Sequence, residues 1–256
     1  MRIYVLTQED AFYLPRLLDR LLEARRDVIG IGVVPGELRA THAWRYWTLM
    51  GPRAFTLQAA NLAAHRVREL AGRVLPLARS YSVADAARRH RVPLERVPAV
   101  NAPAFVARLR ERGVDLLVSL ACPQILRRDL LSVPARGAIN LHGALLPDYR
   151  GLLPAFWVLA NGESHTGVTV HYMSEEVDRG PIILQERVPI RAEDTVHTLV
   201  QRTKLEVGGP LLVRALERIE QGAAEGQPSD PGAGRAFGYP DAAAIRRFRA
   251  RGRRFV

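Results

Sequence analysis

Residues 114–142 read VDLLVSLACPQILRRDLLSVPARGAINLH, a stretch that indicates the fold class. It opens on a short apolar run at 114–120 and closes on a second one at 137–142, with a short helical pattern around 124–131 between them. Short apolar runs without polar alternation are typical of strands buried on both faces of a parallel sheet. The stretch therefore predicts a strand–helix–strand unit.

The same alternation of strand and helix extends back to the first residue. Because strands that alternate with helices form a parallel sheet with helices on both faces, we predict a Rossmann-like α/β fold through residue 142. Residues 37–80 have loosely helical spacing, and 92–100 hold too many prolines for a helix. Strands are predicted at 1–6 and 27–34, and helices at 14–22, 83–90 and 102–113.

The pattern changes after residue 142. HTGVTVHYM at 165–173 alternates strictly between polar and apolar residues, and PIILQERVPI at 181–190 is a second β run, so we expect a late β pair. A long helical pattern follows at 193–222, capped by Asp194 or Thr195. The triplet Gly208-Gly209-Pro210 is expected to kink or break it.

Length and composition favour one large α/β domain with a small appendage. The chain has 256 residues, of which 48% are hydrophobic and 25% charged, and no apolar run approaches a membrane span. Acids at Glu9 and Asp10 stand where a signal peptide would be apolar, so a cytoplasmic location is expected. We predict a main domain over 1–222 and a short C-terminal extension over 223–256 that ends in a basic tail.

The formal charge of +11 is concentrated at the C-terminus. The last 11 residues, RRFRARGRRFV, contain six arginines and no acid. Such a tail either binds phosphate or nucleic acid or forms a solvated terminal segment, and the sequence leaves both interpretations open.

Several familiar site motifs are absent. GIGVVPG at 30–36 lacks the third glycine of a dinucleotide-binding fingerprint, and neither a P-loop nor a GxSxG elbow occurs. Cys122 is the single cysteine, which rules out an internal disulfide, and the seven histidines lack metal-ligand spacing, so we predict no metal site.

The candidate chemistry centres on Asn140 and His142. On a strand, residues i and i+2 point to the same face, and ligands of open α/β sheets bind beyond the carboxyl ends of the strands. A polar loop follows at 145–151, and the late β pair is joined by SEEVDRG at 174–180, which places carboxylates on a turn. An amide, an imidazole and a carboxylate without a serine or cysteine nucleophile favour direct acyl transfer to an amine.

At these positions the sequence resembles the 10-formyltetrahydrofolate-dependent formyltransferases. The resemblance rests on INLHGALLPDYRG (139–151), GESHTGVTVHYM (162–173) and EEVDRGPIILQ (175–185), three spaced motifs in order. It implies that Asn140 and His142 stabilise an oxyanion, with Asp178 as the third catalytic residue. It also implies 10-formyltetrahydrofolate as formyl donor. The folate pocket would be lined by Leu120, Ala121, Cys122, Pro123, Gln124, Ala144, Leu145, Leu146 and Pro147.

The chain departs from the family pattern at two places. Gly143-Ala144 stands where Pro-Ser is usual, and Cys122-Pro123 replaces an aromatic-Gly pair beside the pterin. The first change removes a hydroxyl and alters one folate contact without removing the reaction.

Other conspicuous residues have structural interpretations. We expect Cys122 to be a small core residue and both His165 and His171 to lie on a strand surface. Tyr149 and Arg150 are interpreted as loop anchors. Phe156 and Trp157 are expected in the core of a helix. Trp44, Tyr46 and Trp47 form an aromatic cluster that contacts either the acceptor or the core.

The acceptor is predicted by elimination. LTQEDAFYLP at 6–15 has no glycine-rich phosphate loop, unlike the purine-pathway enzymes that the sequence resembles, and the 34 residues after 222 are too few for the C-terminal barrel of the tRNA enzymes. An amino sugar or another small amine, free or nucleotide-linked, is left. Methionyl-tRNA formyltransferase-like activity is the alternative. A non-catalytic nucleic-acid-binding or interaction protein on the same fold is the second alternative, and a homodimer stays open.

Overall fold

A computed structural model describes residues 1–36, 47–72, 75, 79–228 and 233–256. Seven strands form one sheet in the order β3-β2-β1-β4-β5-β7-β8, and β6 pairs with β9 in a separate two-stranded ribbon. The predicted Rossmann-like α/β class is therefore confirmed. The strands are β1 (Ile3–Thr7), β2 (Val28–Val33), β3 (Leu94–Arg96), β4 (Leu116–Leu120), β5 (Ala138–His142), β6 (Arg150–Gly151), β7 (His165–Tyr172), β8 (Ile182–Pro189) and β9 (Ala236–Phe237).

The direction of pairing changes at β5. Strands β1 to β5 pair in parallel, whereas β7 pairs antiparallel with β5 and β8 pairs antiparallel with β7. The late β pair is thus confirmed, and it extends the sheet beyond the last parallel strand. The helices are α1 (Leu14–Ala24), α2 (Pro52–Ala71), α3 (Val83–Arg89), α4 (Pro103–Glu111), α5 (Arg128–Leu131), α6 (Pro154–Asn161), α7 (Val196–Val200), α8 (Gly209–Glu220) and α9 (Ala242–Ala250).

Helices cover both faces of the sheet, as predicted. Successive strand residues point to opposite faces, so Ile3 and Val5 pack under α1, α3 and α8, while Tyr4 and Leu6 pack under α4. Gly32 on β2 leaves room for this second core, because a Cβ there would lie 3.0 Å from Leu6 Cδ2 and from Tyr4 Oη. Burial on both faces explains why the central strands are continuous apolar runs.

The helical stretch after residue 193 corrects one expectation. The Gly208-Gly209-Pro210 triplet does not break the helix; α7 instead continues through a π-helical segment, Gln201–Gly208, into α8. Pro210 falls in the first turn of α8, where a missing N–H is tolerated. The predicted cap is confirmed at Thr195, whose hydroxyl accepts the Thr198 N–H.

Smaller differences concern short elements. The helix expected around 124–131 is confined to Arg128–Leu131, and the proline-rich 92–100 contributes the edge strand β3. Trp44 and Tyr46 of the aromatic cluster lie outside the described residues. Trp47 lies within them, and its ring contacts Phe55 edge-on at 5.2 Å between centroids.

The C-terminal extension is folded against the rest of the chain. Phe248 on α9 and Phe255 are buried, and both rings contact Phe156 of α6, at 4.8 and 5.9 Å between centroids. The backbone carbonyl oxygens of Arg254 and Phe255 accept N–H groups from the first turn of α7. The tail is therefore no free solvated segment, and the domain boundary at 222 stays a prediction.

Candidate functional site

Asn140, His142 and Asp178 meet at the carboxyl end of β5. Asn140 lies opposite His171 in the antiparallel pairing of β5 with β7, and His142 lies opposite Thr169. Asp178 follows β7 on a turn, with a left-handed backbone (φ 52°). The structure thus brings together the three residues that the sequence singled out.

The Asp178 carboxylate is the centre of this cluster. Its Oδ2 accepts the Gly151 N–H at 2.8 Å and lies 3.4 Å from His142 Nδ1. Its Oδ1 accepts from Asn140 Nδ2 at 3.4 Å. Burial alone would raise the pKa of Asp178, but the nearby histidines and the Gly151 N–H outweigh it and hold that pKa at about 2. The carboxylate is therefore ionised at neutral pH.

The hydrogen-bond partners of His142 define its tautomer. Nε2 lies 2.8 Å from the backbone oxygen of Tyr149, and since a carbonyl oxygen only accepts, Nε2 carries a hydrogen. His142 is 6% exposed, and this burial lowers its pKa although Asp178 opposes the shift. The neutral ring then presents an unprotonated Nδ1 toward Asp178. His142 is buried whereas Asn140 is half-buried, so Asn140 has the more accessible donor for an oxyanion.

His171 is a member of the cluster that the sequence interpretation placed wrongly. It was expected on a strand surface, yet it is 1% exposed and its Nε2 lies 3.5 Å from Asp178 Oδ1. Its Nδ1 faces the Tyr172 carbonyl oxygen at 2.8 Å, and its Nε2 lies 3.2 Å from Asn140 Nδ2. The available signal was that His171 and Thr169 share a face of β7, but alternation alone does not show which face is buried.

Lys204 is a second residue that the sequence did not single out. It lies on the π-helical segment, where burial lowers its pKa and Asp10 opposes the shift. Its positive charge is close enough to His142 to lower the pKa of that imidazole. Lys204 therefore contributes to keeping His142 neutral.

The residues assigned to the folate pocket flank Asn140. Leu120 ends β4, whose Ser119 pairs with Asn140, and the following Ala121 is half-buried. On the other side, Ala144 is buried and its carbonyl oxygen accepts from the Thr169 hydroxyl at 2.7 Å. The two segments thus lie on either side of the cluster.

Individual members of these segments have different surroundings. The side-chain amide of Gln124 is engaged by the backbone of Val100 and Pro98, which ties down a neighbouring loop. Cys122 is half-buried, and burial raises the pKa of its thiol to about 11, which fits a small packing residue. Leu145 and Pro147 are half-buried, whereas Leu146 is buried and Pro123 is exposed.

The loop residues after His142 act as anchors, as expected. Tyr149 donates its hydroxyl to Glu163 at 2.6 Å, and Arg150 is buried with one guanidinium N–H donated to the Gly234 carbonyl oxygen. Phe156 and Trp157 are buried in α6.

Within the described ranges, no group of three or more His, Cys, Asp or Glu side chains is arranged around a potential metal ion. None of the helices described there is both long and apolar enough to cross a bilayer.

Sequence relatives of this chain include methionyl-tRNA formyltransferases. The chain is 40% identical over 145 residues to a methionyl-tRNA formyltransferase of Syntrophus aciditrophicus, a match that covers 57% of this chain and 46% of the relative. It is 43% identical over 137 residues to that of an Anaeromyxobacter strain, covering 54% and 44%. The matched segments thus span less than half of these curated relatives.

The fold is shared with crystal structures at low identity. Phosphoribosylglycinamide formyltransferase from Anaplasma phagocytophilum matches with a TM-score of 0.62 and 21% identity, over 93% of this chain and 99% of that one. An N-formyltransferase from Helicobacter canadensis, solved with folinic acid and dTDP-3-aminofucose, matches with a TM-score of 0.59 and 15% identity, over 97% and 79%. The model of the family described as formyl transferase matches residues 1–216, and the chain therefore belongs to the formyl transferase family.

Proposed function

We propose that this protein transfers a formyl group from a reduced folate, 10-formyltetrahydrofolate, to the primary amine of an acceptor. The observation that carries the proposal is the convergence of Asn140, His142 and Asp178 at one strand end, in a chain of this family. Leu120–Gln124 and Ala144–Pro147 flank that strand end and would hold the donor, which supplies the formyl carbon.

Asn140 is the proposed oxyanion donor. Its amide nitrogen lies 3.2 Å from His171 Nε2 and 3.4 Å from Asp178 Oδ1, which orients the group. An N–H of this amide is proposed to donate to the formyl oxygen, which gains negative charge as the amine attacks. A donor held in place in a partly buried site stabilises such charge more than water does.

His142 and Asp178 are the proposed proton acceptors. An alkylamine has a pKa near 10 in water, judged from lysine, so it must lose a proton before or during attack. The unprotonated Nδ1 of His142 and the ionised Asp178 lie 3.4 Å apart and share this task. Asp178 stabilises the imidazolium once His142 has taken the proton, because the opposite charges are adjacent. As the oxyanion collapses, the bond between the formyl carbon and the folate nitrogen breaks, and the proton passes to that nitrogen, which releases tetrahydrofolate.

An amino sugar or other small amine is the acceptor we propose. The Helicobacter structure was solved with an amino-sugar nucleotide, which supports this class. The second candidate is an aminoacyl-tRNA, which the 40% identity to a methionyl-tRNA formyltransferase favours. A formyl-transfer assay over amino-sugar nucleotides and aminoacyl-tRNAs separates the two, because the true acceptor has the higher kcat/KM.

The reaction assignment is tested at Asn140. Asn140→Ala is expected to lower kcat by about 10²–10³-fold, the usual cost of removing one oxyanion donor. Asn61→Ala is the matched control, since Asn61 is exposed on α2. A folded Asn140→Ala variant with the kcat of the control contradicts the assignment. Failure of every acceptor in the presence of the folate donor contradicts the proposed function.

A further inference from the structure

Residues 234–237, in the C-terminal extension, are hydrogen-bonded to the loop that connects β5 to α6. β9 pairs in parallel with β6. Arg150 N–H donates to the Arg235 carbonyl oxygen at 3.0 Å, and Leu152 N–H donates to that of Phe237 at 2.8 Å. The 234–237 segment is therefore attached to the part of the chain that follows β5, at the edge of the proposed reaction site.

This pairing points the N–H group of Gly151 toward Asp178. Successive N–H groups along a strand point to opposite sides, and those of Arg150 and Leu152 point to β9. The Gly151 N–H between them points the other way and donates to Asp178 Oδ2 at 2.8 Å. Gly151 also lies close to β9, because a Cβ there would be 2.4 Å from the Phe237 carbonyl oxygen. The position of this donor is therefore set by β9.

The same segment supports Tyr149, whose carbonyl oxygen accepts the Nε2–H of His142 at 2.8 Å. The rings of Phe237 and Tyr149 are stacked, with 5.1 Å between centroids and 10° between planes. The Tyr149 backbone has a left-handed φ of 55°, which a residue other than glycine keeps only where its surroundings hold it. The stacked Phe237 ring supplies part of that support.

Gly234 brings the segment against the first half of the loop. Its φ is 73°, and a Cβ there would lie 1.8 Å from the Pro147 carbonyl oxygen and 2.9 Å from Asp148 N. Its own carbonyl oxygen accepts from Arg150 Nη2 at 3.3 Å. Because glycine lacks a Cβ and tolerates positive φ, it permits this approach where another residue would push the two backbones apart.

We propose that the 234–237 segment is a positioning element for the reaction site, with Phe237 and Gly234 as its positioning residues. Through β6 and the loop before it, the segment fixes the two backbone groups that hydrogen-bond to Asp178 and His142. The effect on catalysis rests on the proposed function, whereas the effect on these two side chains does not.

The expected consequence is a selection between two tautomers of His142. The Tyr149 carbonyl oxygen requires the hydrogen on Nε2, whereas the Asp178 carboxylate, 3.4 Å from Nδ1, favours a hydrogen on Nδ1. A neutral imidazole has one N–H, so the two acceptors compete for it. When the 234–237 segment shifts, the Tyr149 carbonyl moves with it and the Nδ1–H tautomer gains population. That tautomer cannot take the proton of the amine on Nδ1.

Nitrogen NMR spectroscopy of the full chain with isotope-labelled histidine tests this in the absence of folate and acceptor. The ring signals of His142 are assigned by their loss in His142→Gln, and the pH is kept well above the ordinary pKa of histidine. The native chain should show the Nε2–H tautomer. Gly234→Ala, which places a methyl group against backbone, and Phe237→Leu, which removes the stacked ring, should each raise the share of Nδ1–H.

Two substitutions in the same extension are the matched controls. Gly252→Ala adds a methyl group to another left-handed glycine, at φ 68°, but nothing lies within 4 Å of its Cβ. Phe248→Leu removes a ring that stacks on Phe156 of α6. Both controls should keep the Nε2–H tautomer. Phe237→Tyr, which keeps an aromatic face toward the loop, should keep it as well.

Steady-state kinetics supplies the second readout. Phe237→Leu should lower kcat by about tenfold, since a small misplacement of reacting groups can cost about 100-fold. KM for the folate donor should stay unchanged, because the Phe237 ring packs on Tyr149 and Trp157 and not on the segments proposed to hold the donor. Phe237→Tyr should recover the rate, and Phe248→Leu should retain it.

Four results would overturn the proposal. They are Nδ1–H as the main tautomer of the native chain, an unchanged tautomer in folded Gly234→Ala and Phe237→Leu, an equal change in the two controls, or a changed tautomer with unchanged kcat. If the tautomers behave as expected but the native chain formylates no acceptor, the proposed function fails and the structural role of the 234–237 segment stands.

Discussion

At the scale of single residues, the Asn140 amide depends on its partner across the strands. His171 Nε2 and Asp178 Oδ1 both lie within hydrogen-bond distance of the Asn140 amide nitrogen. The orientation of Asn140 is therefore set by β7 and by the turn that follows it. Asparagine side chains have a broad terminal torsion, so without these partners the amide would rotate. His171 is therefore a positioning residue for the proposed reaction.

Substitution of His171 is the first test at this scale. His171→Leu should lower kcat by about tenfold, since one lost hydrogen bond is worth roughly 1–1.5 kcal/mol. KM for the folate donor should stay unchanged, and His171→Gln, which retains an acceptor oxygen, should recover part of the rate. Steady-state kinetics on folded variants measures this. A loss confined to KM would contradict the positioning role.

The pH dependence of the rate is the second test at this scale. Burial and the charge of Lys204 lower the pKa of His142, so the acidic limb of kcat/KM should lie below pH 6.5, the ordinary pKa of histidine. Lys204→Met removes a positive charge and should raise the pKa of His142. The acidic limb should then move to higher pH, because His142 becomes protonated earlier on acidification.

The control for this pH profile is Lys204→Arg, which keeps the charge and should leave the limb near its original position. Profiles are measured with one acceptor throughout, so that the ionisation of the amine is common to all three proteins. A limb that moves to lower pH in Lys204→Met would show that Lys204 does not act on His142 through its charge.

At the scale of elements, the π-helical segment holds Lys204 within electrostatic range of His142. Gly208 closes this segment against β5 and β7, because a Cβ there would lie 2.7 Å from the Thr203 carbonyl oxygen and 3.3 Å from Leu141 Cδ2. Backbone oxygen cannot move aside as a flexible side chain does. The π-helical turn therefore requires a residue without a side chain at position 208.

Replacement of Gly208 tests this coupling. Gly208→Ala should lower the free energy of unfolding by roughly 1–3 kcal/mol, as overpacking usually does. Gly209→Ala is the matched control, since the nearest atom to its Cβ is Arg20 Cδ at 3.4 Å, an ordinary contact with a flexible side chain. Urea denaturation measures both. Equal stability of the two variants would show that the segment accommodates a methyl group at 208.

At the scale of the whole molecule, the C-terminal extension completes a third cluster of buried side chains. Phe248 and Phe255 pack with Phe156 and Leu199, so the end of the chain covers α6 and α7. Arg249, Arg251 and Arg253, which lie between these aromatic residues, donate to backbone oxygens, among them that of Ala160 for Arg251. The extension therefore contributes to the stability of the described fold.

Truncation of one aromatic side chain measures that contribution. Phe248→Ala should lower the free energy of unfolding by roughly 3–5 kcal/mol, the usual cost for a buried phenylalanine. Arg247→Ala, exposed on the same helix, is the control and should change stability little. Thermal and urea denaturation provide the measurement. A Phe248→Ala variant as stable as the control would show that the extension packs only loosely on the domain.

The local pattern was sufficient for much of this protein. Apolar runs such as 114–120 predicted the buried parallel strands, and the alternating run at 165–173 predicted β7. Both predictions succeed because the spacing of apolar residues along a strand reflects how many of its faces are buried. The spacing of Asn140 and His142 predicted that both side chains would face the same way, and the resemblance to the formyltransferases implied that Asp178 would join them.

Other features were decided by tertiary structure alone. Alternation in β7 does not show which face is covered, so the burial of His171 became visible only once β7 was paired between β5 and β8. Gly208-Gly209-Pro210 is a helix breaker by local propensity, yet the helix is continuous there, with Gly208 packed closely against Leu141 and Val168. The sequence left open whether the arginine-rich tail binds phosphate or is a solvated segment, but Phe248 and Phe255, seven residues apart, pack it onto α6. In each case the deciding contacts join residues that are distant in the chain, so the local sequence pattern does not predict them.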